Sequence, residues 1–258
     1  MSRRSQEIAD WMKEQVAAAG SHGIVVGLSG GIDSAVVIGL AAMAMPGRVV
    51  GVMMPCHSDP TDEAHAKLAA DHFKVSPLRV DLAPVYDRLG AGLRDALGQL
   101  PREQHPIAPA DEVDLKARLP LANLKPRLRM ASLYFVANAL NYLVAGTGNR
   151  SELTIGYFTK YGDGGVDMLP LGRLLKSEVR AIARELQVPE PIIEKAPSAG
   201  LWLGQTDEGE MGFTYADLES YLTSGPGAVS PALGLRVERL ARASDHKRAL
   251  PPIPPEKW

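Results

Sequence analysis

Three observations in the sequence predict an α/β fold built on a doubly wound parallel sheet with helices on both faces. The β-branched run Ile24-Val25-Val26 feeds a glycine-rich turn and then the apolar stretch 35–45, which only a buried helix accommodates. Short apolar runs at 49–54 and 77–80 alternate with helical pattern. A later run, 142–145, ends in a second small-residue turn, Gly146-Thr147-Gly148-Asn149. Alternation of this kind closes into a parallel sheet through right-handed crossovers, and ligands then sit beyond the C-terminal ends of the strands.

Each element has its own warrant, taken in chain order. Residues 1–19 alternate charged and apolar positions at helical spacing. Residues 24–28 form the first strand, 35–45 a helix and 49–54 the second strand. Residues 61–73 are a helix, with Thr61 as N-cap and Asp62 and Glu63 in its first turn. Residues 77–80 are the third strand. The stretch 84–119 is amphipathic but interrupted by Pro101, Pro106 and Pro109, so it reads as a helix followed by a mobile connection. A long helix covers 121–140 despite Pro126, and 142–145 is the fourth strand. Helices follow at 174–186, 215–222 and 236–244, and the prolines of 251–255 make a stiff tail.

Composition bounds the class. The chain has 258 residues, 45% of them hydrophobic and 22% charged, as in a globular protein with a real core. A formal net charge of -2 argues against a nucleic-acid-coating surface. The single cysteine, Cys56, rules out an intrachain disulfide framework and points to a reducing compartment, and it reads as a loop or packing residue. The N-terminal stretch has no unbroken apolar core, so neither a signal peptide nor a membrane span is expected there. The expectation is a cytoplasmic protein with no membrane and no nucleic-acid partner.

The loop Gly27-Leu28-Ser29-Gly30-Gly31-Ile32-Asp33-Ser34 carries the chemistry. Between a strand and a helix, such a loop aims backbone N–H groups at one point, at the positive end of the helix dipole. That point suits a phosphate. The loop lacks the Gly-Lys-Ser/Thr ending of a triphosphate cradle, and offers two serines, two adjacent glycines and a carboxylate. A pyrophosphate held with its metal is therefore the expected ligand. The structural alternatives are a turn that merely lets strand and helix pack closely, and for Asp33 an N-cap carboxylate.

The Ser-Gly-Gly-x-Asp-Ser pattern resembles the ATP loop of the adenine-nucleotide α-hydrolase superfamily. A second block narrows the likeness. Gly146-Thr147-Gly148-Asn149-Arg150-Ser151-Glu152 runs into Gly156-Tyr157-Phe158-Thr159-Lys160-Tyr161-Gly162-Asp163-Gly164, with Asp167, Pro170-Leu171 and Lys176 beyond. With Asn123-x-x-x-Arg127-x-Arg129 upstream and His246-Lys247-Arg248 near the end, these are similar to the signature of the ammonia-dependent NAD synthetase family.

The resemblance implies one domain over 1–258, with a five-stranded, Rossmann-like parallel sheet and helical additions. It implies ATP-dependent amidation of deamido-NAD by ammonia through an adenylate, releasing AMP and pyrophosphate. Residues 27–34 with Thr147, Lys176 and Ser198 would bind ATP; Ser198 stands where the family commonly has Thr. Asp33 and Glu152 would share Mg2+. Arg127, Lys160, Asp167, His246 and Lys247 would line the deamido-NAD site, and no protein nucleophile is expected. Arg127 and Arg129 lie two apart, so only one would face the ligand and the other would pair across a partner helix; the structural alternative, a solvated basic face, is favoured for Arg129. Glutamine-using relatives carry an extra N-terminal amidase domain, and too few residues precede Ile24 to form one, so free ammonia is the expected donor. The family is dimeric. The 121–140 helix, apolar around most of its circumference (Leu124, Leu128, Met130, Leu133, Phe135, Val136, Leu140), suits such an interface or a central core position. Glycine, proline and acidic content marks 79–119 and 197–211 as lids.

Overall fold

In the computed structural model, residues 2–101, 115–202 and 205–254 are described, with side chains from 118 onward in the second span. Four strands, β1 (Gly23–Leu28), β2 (Val49–Met53), β3 (Ser76–Arg79) and β4 (Tyr142–Ala145), form one parallel sheet in the order β3-β2-β1-β4. The strand order reverses at β1, with β2 and β3 on one side and β4 on the other. The registers Val26↔Gly51 and Val26↔Ala145 hold β1 centrally.

The fifth strand is absent among the described residues, which corrects the expected count. In its place Met168 makes a single parallel bridge to Ala145. Gly164 and Gly165 before it and Pro170 after it leave no run long enough to extend the ladder.

Alternation along β1 sorts two cores. Ile24, Val26 and Leu28 face one cluster, and Val25 faces another with Val52 and Val144. On the first face lie α1 (Arg3–Ala18), α2 (Ile32–Ala44), α3 (Pro60–His72) and, later in the chain, α7 (Lys176–Glu185). Between β3 and β4 come α4 (Ala83–Leu97) and α5 (Leu115–Leu140), which cover the second face. The turn α6 (Arg150–Ile155) follows β4. After α7 come the short α8 (Glu190–Ile193) and α9 (Asp207–Met211). Then α10 (Tyr215–Ser224), α11 (Pro231–Ala243) and the single turn α12 (Asp245–Arg248) finish the chain. Ile155, Met211, Leu218 and Val237 form a third core there.

Two helix starts differ from the sequence reading. Asp59, not Thr61, caps α3, accepting from Thr61 N at 2.8 Å with Pro60 at the first helical position. Gly31 occupies the N-cap of α2, which frees the Asp33 carboxylate from capping. The expected connection after α4 falls largely outside the described residues, as do Pro106, Pro109, part of the 197–211 loop and Pro255. No described helix is long and apolar enough to cross a membrane.

Candidate active site

The glycine loop ends β1 at the C-terminal edge of the sheet and is folded onto itself. Ser29 and Ser34 hydroxyls lie 3.1 Å apart, and Ser34 donates to Gly31 O at 2.9 Å. Gly30 adopts φ +75°, and a Cβ there would overlap the Asp62 carbonyl oxygen in the first turn of α3. Glycine is required by both conformation and space. The loop therefore seats against α3 with the N-terminus of α2 open to an anion.

Asp33 and Glu152, from opposite sides of the β1/β4 junction, converge on one cationic point. Lys176 Nζ lies 2.5 Å from Asp33 Oδ2 and 3.2 Å from Glu152 Oε1, and its side chain is buried. Asn149, fully buried, completes the frame. Its amide donates to Asp33 Oδ1 at 3.0 Å, while its oxygen accepts from Glu152 N at 3.1 Å in a reciprocal capping box. Tyr215 OH lies 3.2 Å from Glu152 Oε1 and 2.9 Å from Asp207 Oδ2; the other oxygen of Asp207 is buried without a partner among the described residues.

The electrostatics follow. Burial, reinforced by Asp33 and Asp207 and opposed by Lys176, pushes the Glu152 carboxyl up to about 7. Burial also raises Asp207. Desolvation alone would lower the Lys176 ammonium, but Asp33 and Glu152 outweigh it and hold the charge in place. Three carboxylates surround one ammonium, a formal excess of two negative charges. That excess, and the unpartnered Asp207 oxygen, fit a divalent cation. Among the described residues no ready-made cage of three or more ligating side chains exists. Mg2+ commonly takes only one or two carboxylates and completes its shell with phosphate oxygens and water, so Asp33 and Glu152 suffice.

Thr147 lines a cavity of about 50 Å³ with Glu152, Phe158 and Asp163. Beyond Phe158 the basic residues gather. Lys247 Nζ donates to Gly156 O and Phe158 O, both at 2.8 Å, and lies over the Phe158 ring. Lys160 Nζ donates to His246 O at 2.6 Å, and Arg127 reaches Lys160 O at 3.4 Å. Asn123 accepts from Thr159 Oγ1 at 2.8 Å and so fixes the turn that carries Lys160. Arg127, Lys160, His246 and Lys247 are thus brought together. Asp167 stands apart from these contacts: its oxygens accept from Tyr134 OH at 2.9 Å and Val144 N at 2.7 Å. Ser198 accepts from Gly200 N on a loop drawn toward Asp62 by the Lys195–Asp62 ion pair.

Arg129 departs from the reading of a solvated face. It turns inward to Met54 O and Ser58 Oγ, both at 3.3 Å, while Arg127 is the exposed member. Asn149 and Tyr215 were not among the candidate residues. Asn149 carried a signal, the Asn-x-x-Glu spacing of a capping box. Tyr215 had none, since a tyrosine opening an amphipathic helix reads as core.

Fold and site together define an α/β protein of nucleotide-binding type, with a glycine loop at the C-terminal edge of its parallel sheet beside an acidic, lysine-bridged centre. The family model for NAD synthase matches residues 4–251, and the chain belongs to that family. It is 49% identical over 251 residues to the NH(3)-dependent NAD(+) synthetase of Carboxydothermus hydrogenoformans, covering 97% of this chain and 96% of that one. Among solved structures it resembles the NMN synthetase of Francisella tularensis (TM-score 0.86, 34% identity, covering 98% and 99% of the two chains). The NH3-dependent NAD synthetase of Campylobacter jejuni is also similar (TM-score 0.76, 26% identity, covering 99% and 100%).

Proposed function

We infer that this protein amidates the nicotinate carboxylate of deamido-NAD with ammonia at the expense of ATP, the last step of NAD biosynthesis. The observation that carries the reading is the acidic centre of Asp33, Glu152 and Lys176 beside the glycine loop, in a chain of this family.

Chemistry proceeds in two displacements. A carboxylate oxygen attacks the α-phosphorus of ATP and pyrophosphate leaves, giving an acyl adenylate. Ammonia then attacks the carbonyl, a proton is lost and AMP departs. Both steps need positioning and charge stabilisation, with no protein nucleophile. Gly30 and Gly31 N–H groups and the Ser29 and Ser34 hydroxyls receive the departing pyrophosphate at the start of α2. Lys176 supplies fixed positive charge, and Thr147 and Ser198 offer hydroxyls to ATP. Asp33 and Glu152 would hold Mg2+, which neutralises phosphate charge when bound. Arg127, Lys160, His246 and Lys247 grip the dinucleotide, with Asp167 at the edge of that site.

Two copies are proposed to form a homodimer through α4 and α5. Val85, Leu89, Leu93 and Leu97 make an exposed apolar stripe on α4, and Phe135 and Leu140 are exposed on α5. One domain, a reducing cytoplasm and free ammonia as donor complete the reading.

The test replaces Asp33 or Glu152 by Ala and follows NAD, AMP and pyrophosphate. Loss of turnover with retained fold supports the site, and near-normal turnover in both variants refutes it. The likeness to an NMN synthetase gives a second reading, in which the acceptor is the nicotinate mononucleotide; running both acceptors side by side decides between them.

A further inference from the structure

Lys125 and Arg129 sit one turn apart on the same face of α5, at the i,i+4 spacing that sets like charges against each other. Both turn inward. Lys125 is 5% exposed, and its ammonium donates to Leu201 O at 2.8 Å and lies 5.4 Å from the centre of the Tyr86 ring. Among the described residues Arg129 donates to Met54 O and Ser58 Oγ. No carboxylate among the described residues lies within ion-pairing distance of either cation; Asp62, Asp87 and Asp163 act from further away. Burial lowers the affinity of both groups for their protons, and the Arg129 charge further disfavours charge on Lys125.

The position is informative. Met54 directly follows β2, at the edge of the sheet where the glycine loop lies. Leu133, one turn beyond Arg129, comes within contact distance of the place a Cβ would occupy on Gly27. The acidic centre lies on the α2 side of that loop, and this cationic pair lies on the α5 side. A buried ammonium beside a half-buried guanidinium, with only neutral partners among the described residues, is costly unless an anion joins them.

We propose that Lys125 and Arg129 form a second anion subsite, distinct from the glycine loop, which takes a phosphate group of one of the two nucleotide substrates. A guanidinium fork and an adjacent ammonium suit a phosphate, and Ser58 adds a hydroxyl to the same wall. The Lys125 bond to Leu201 O couples the subsite to the loop that carries Ser198. This proposal rests on the functional reading only for the identity of the nucleotides.

Calorimetric titration of the whole protein with inorganic pyrophosphate tests the subsite itself. The wild type is expected to take up two molecules, and a Lys125→Met/Arg129→Met variant one. A single site in the wild type, or two sites kept in the variant, overturns the proposal. Because this readout needs no turnover, it stands or falls separately from NAD synthesis. Steady-state kinetics then identify the source. Arg129→Met raising the KM for ATP at least tenfold assigns an ATP phosphate; the same rise for the dinucleotide assigns its pyrophosphate. In either case Arg129→Lys, which keeps the charge but not the fork, should recover only part of the loss. Both KM values within twofold of wild type in a folded variant would reduce the pair to structural pins and overturn the subsite.

Discussion

Asn149→Ala strikes the one side chain that ties the two halves of the acidic centre together. Its carboxamide oxygen caps α6 through Glu152 N, and its amide holds Asp33 Oδ1 at 3.0 Å, all with no exposure to solvent. Loss of an N-cap costs about 1 kcal/mol. Loss of a hydrogen bond to a charged carboxylate adds about 1.5–3 kcal/mol. The sum is about 3 kcal/mol, which for a domain of this size lowers Tm by roughly 6–12 °C. Thermal unfolding followed by circular dichroism measures it. Asn149→Ser keeps a capping oxygen but cannot span to Asp33, so it should recover about 1 kcal/mol of the loss. NAD formation should fall in both variants, because Asp33 loses its orientation. An Ala variant that melts within a degree of wild type and turns over normally would refute the role assigned to this residue.

Gly30→Ala forces a side chain into the Asp62 carbonyl at φ +75°, so ATP-dependent turnover should drop at least a hundredfold, measured as AMP release. Glu152, with its folded pKa raised from 4.5 to about 7, binds more protons folded than unfolded across that window. Stability of the metal-free protein should therefore fall as pH rises from about 4.5 to 7, and Glu152→Gln should flatten that slope in urea titrations. Leu89→Glu with Leu93→Glu charges the exposed stripe of α4 and should yield a monomer by sedimentation; an unchanged dimer would place the interface elsewhere.

The sheet was legible wherever chemistry is local. The β-branched run at Ile24 and the apolar helix behind it gave β1, loop and α2, and 142–145 matched β4 residue for residue. The fifth strand was not legible, because one bridge at Met168 and a full strand differ only in the surrounding backbone path. The turn between β1 and α2 was readable from its glycines. The partnership of Lys176 with Asp33 and Glu152 was not, since it joins three distant segments across the β1/β4 junction. Nothing in residue type places a lysine at a helix start in the interior, and only tertiary packing buries Lys176. For Arg129 the same packing reversed the expectation, because α5 lays that face against the end of β2.

The most direct test of the account is the product balance of the purified protein supplied with deamido-NAD, ATP, Mg2+ and ammonium. The account expects one NAD, one AMP and one pyrophosphate per turnover, with none formed when Asp33 or Glu152 is replaced by Ala. ADP and phosphate in place of AMP and pyrophosphate, or no amidated product at all, would contradict it.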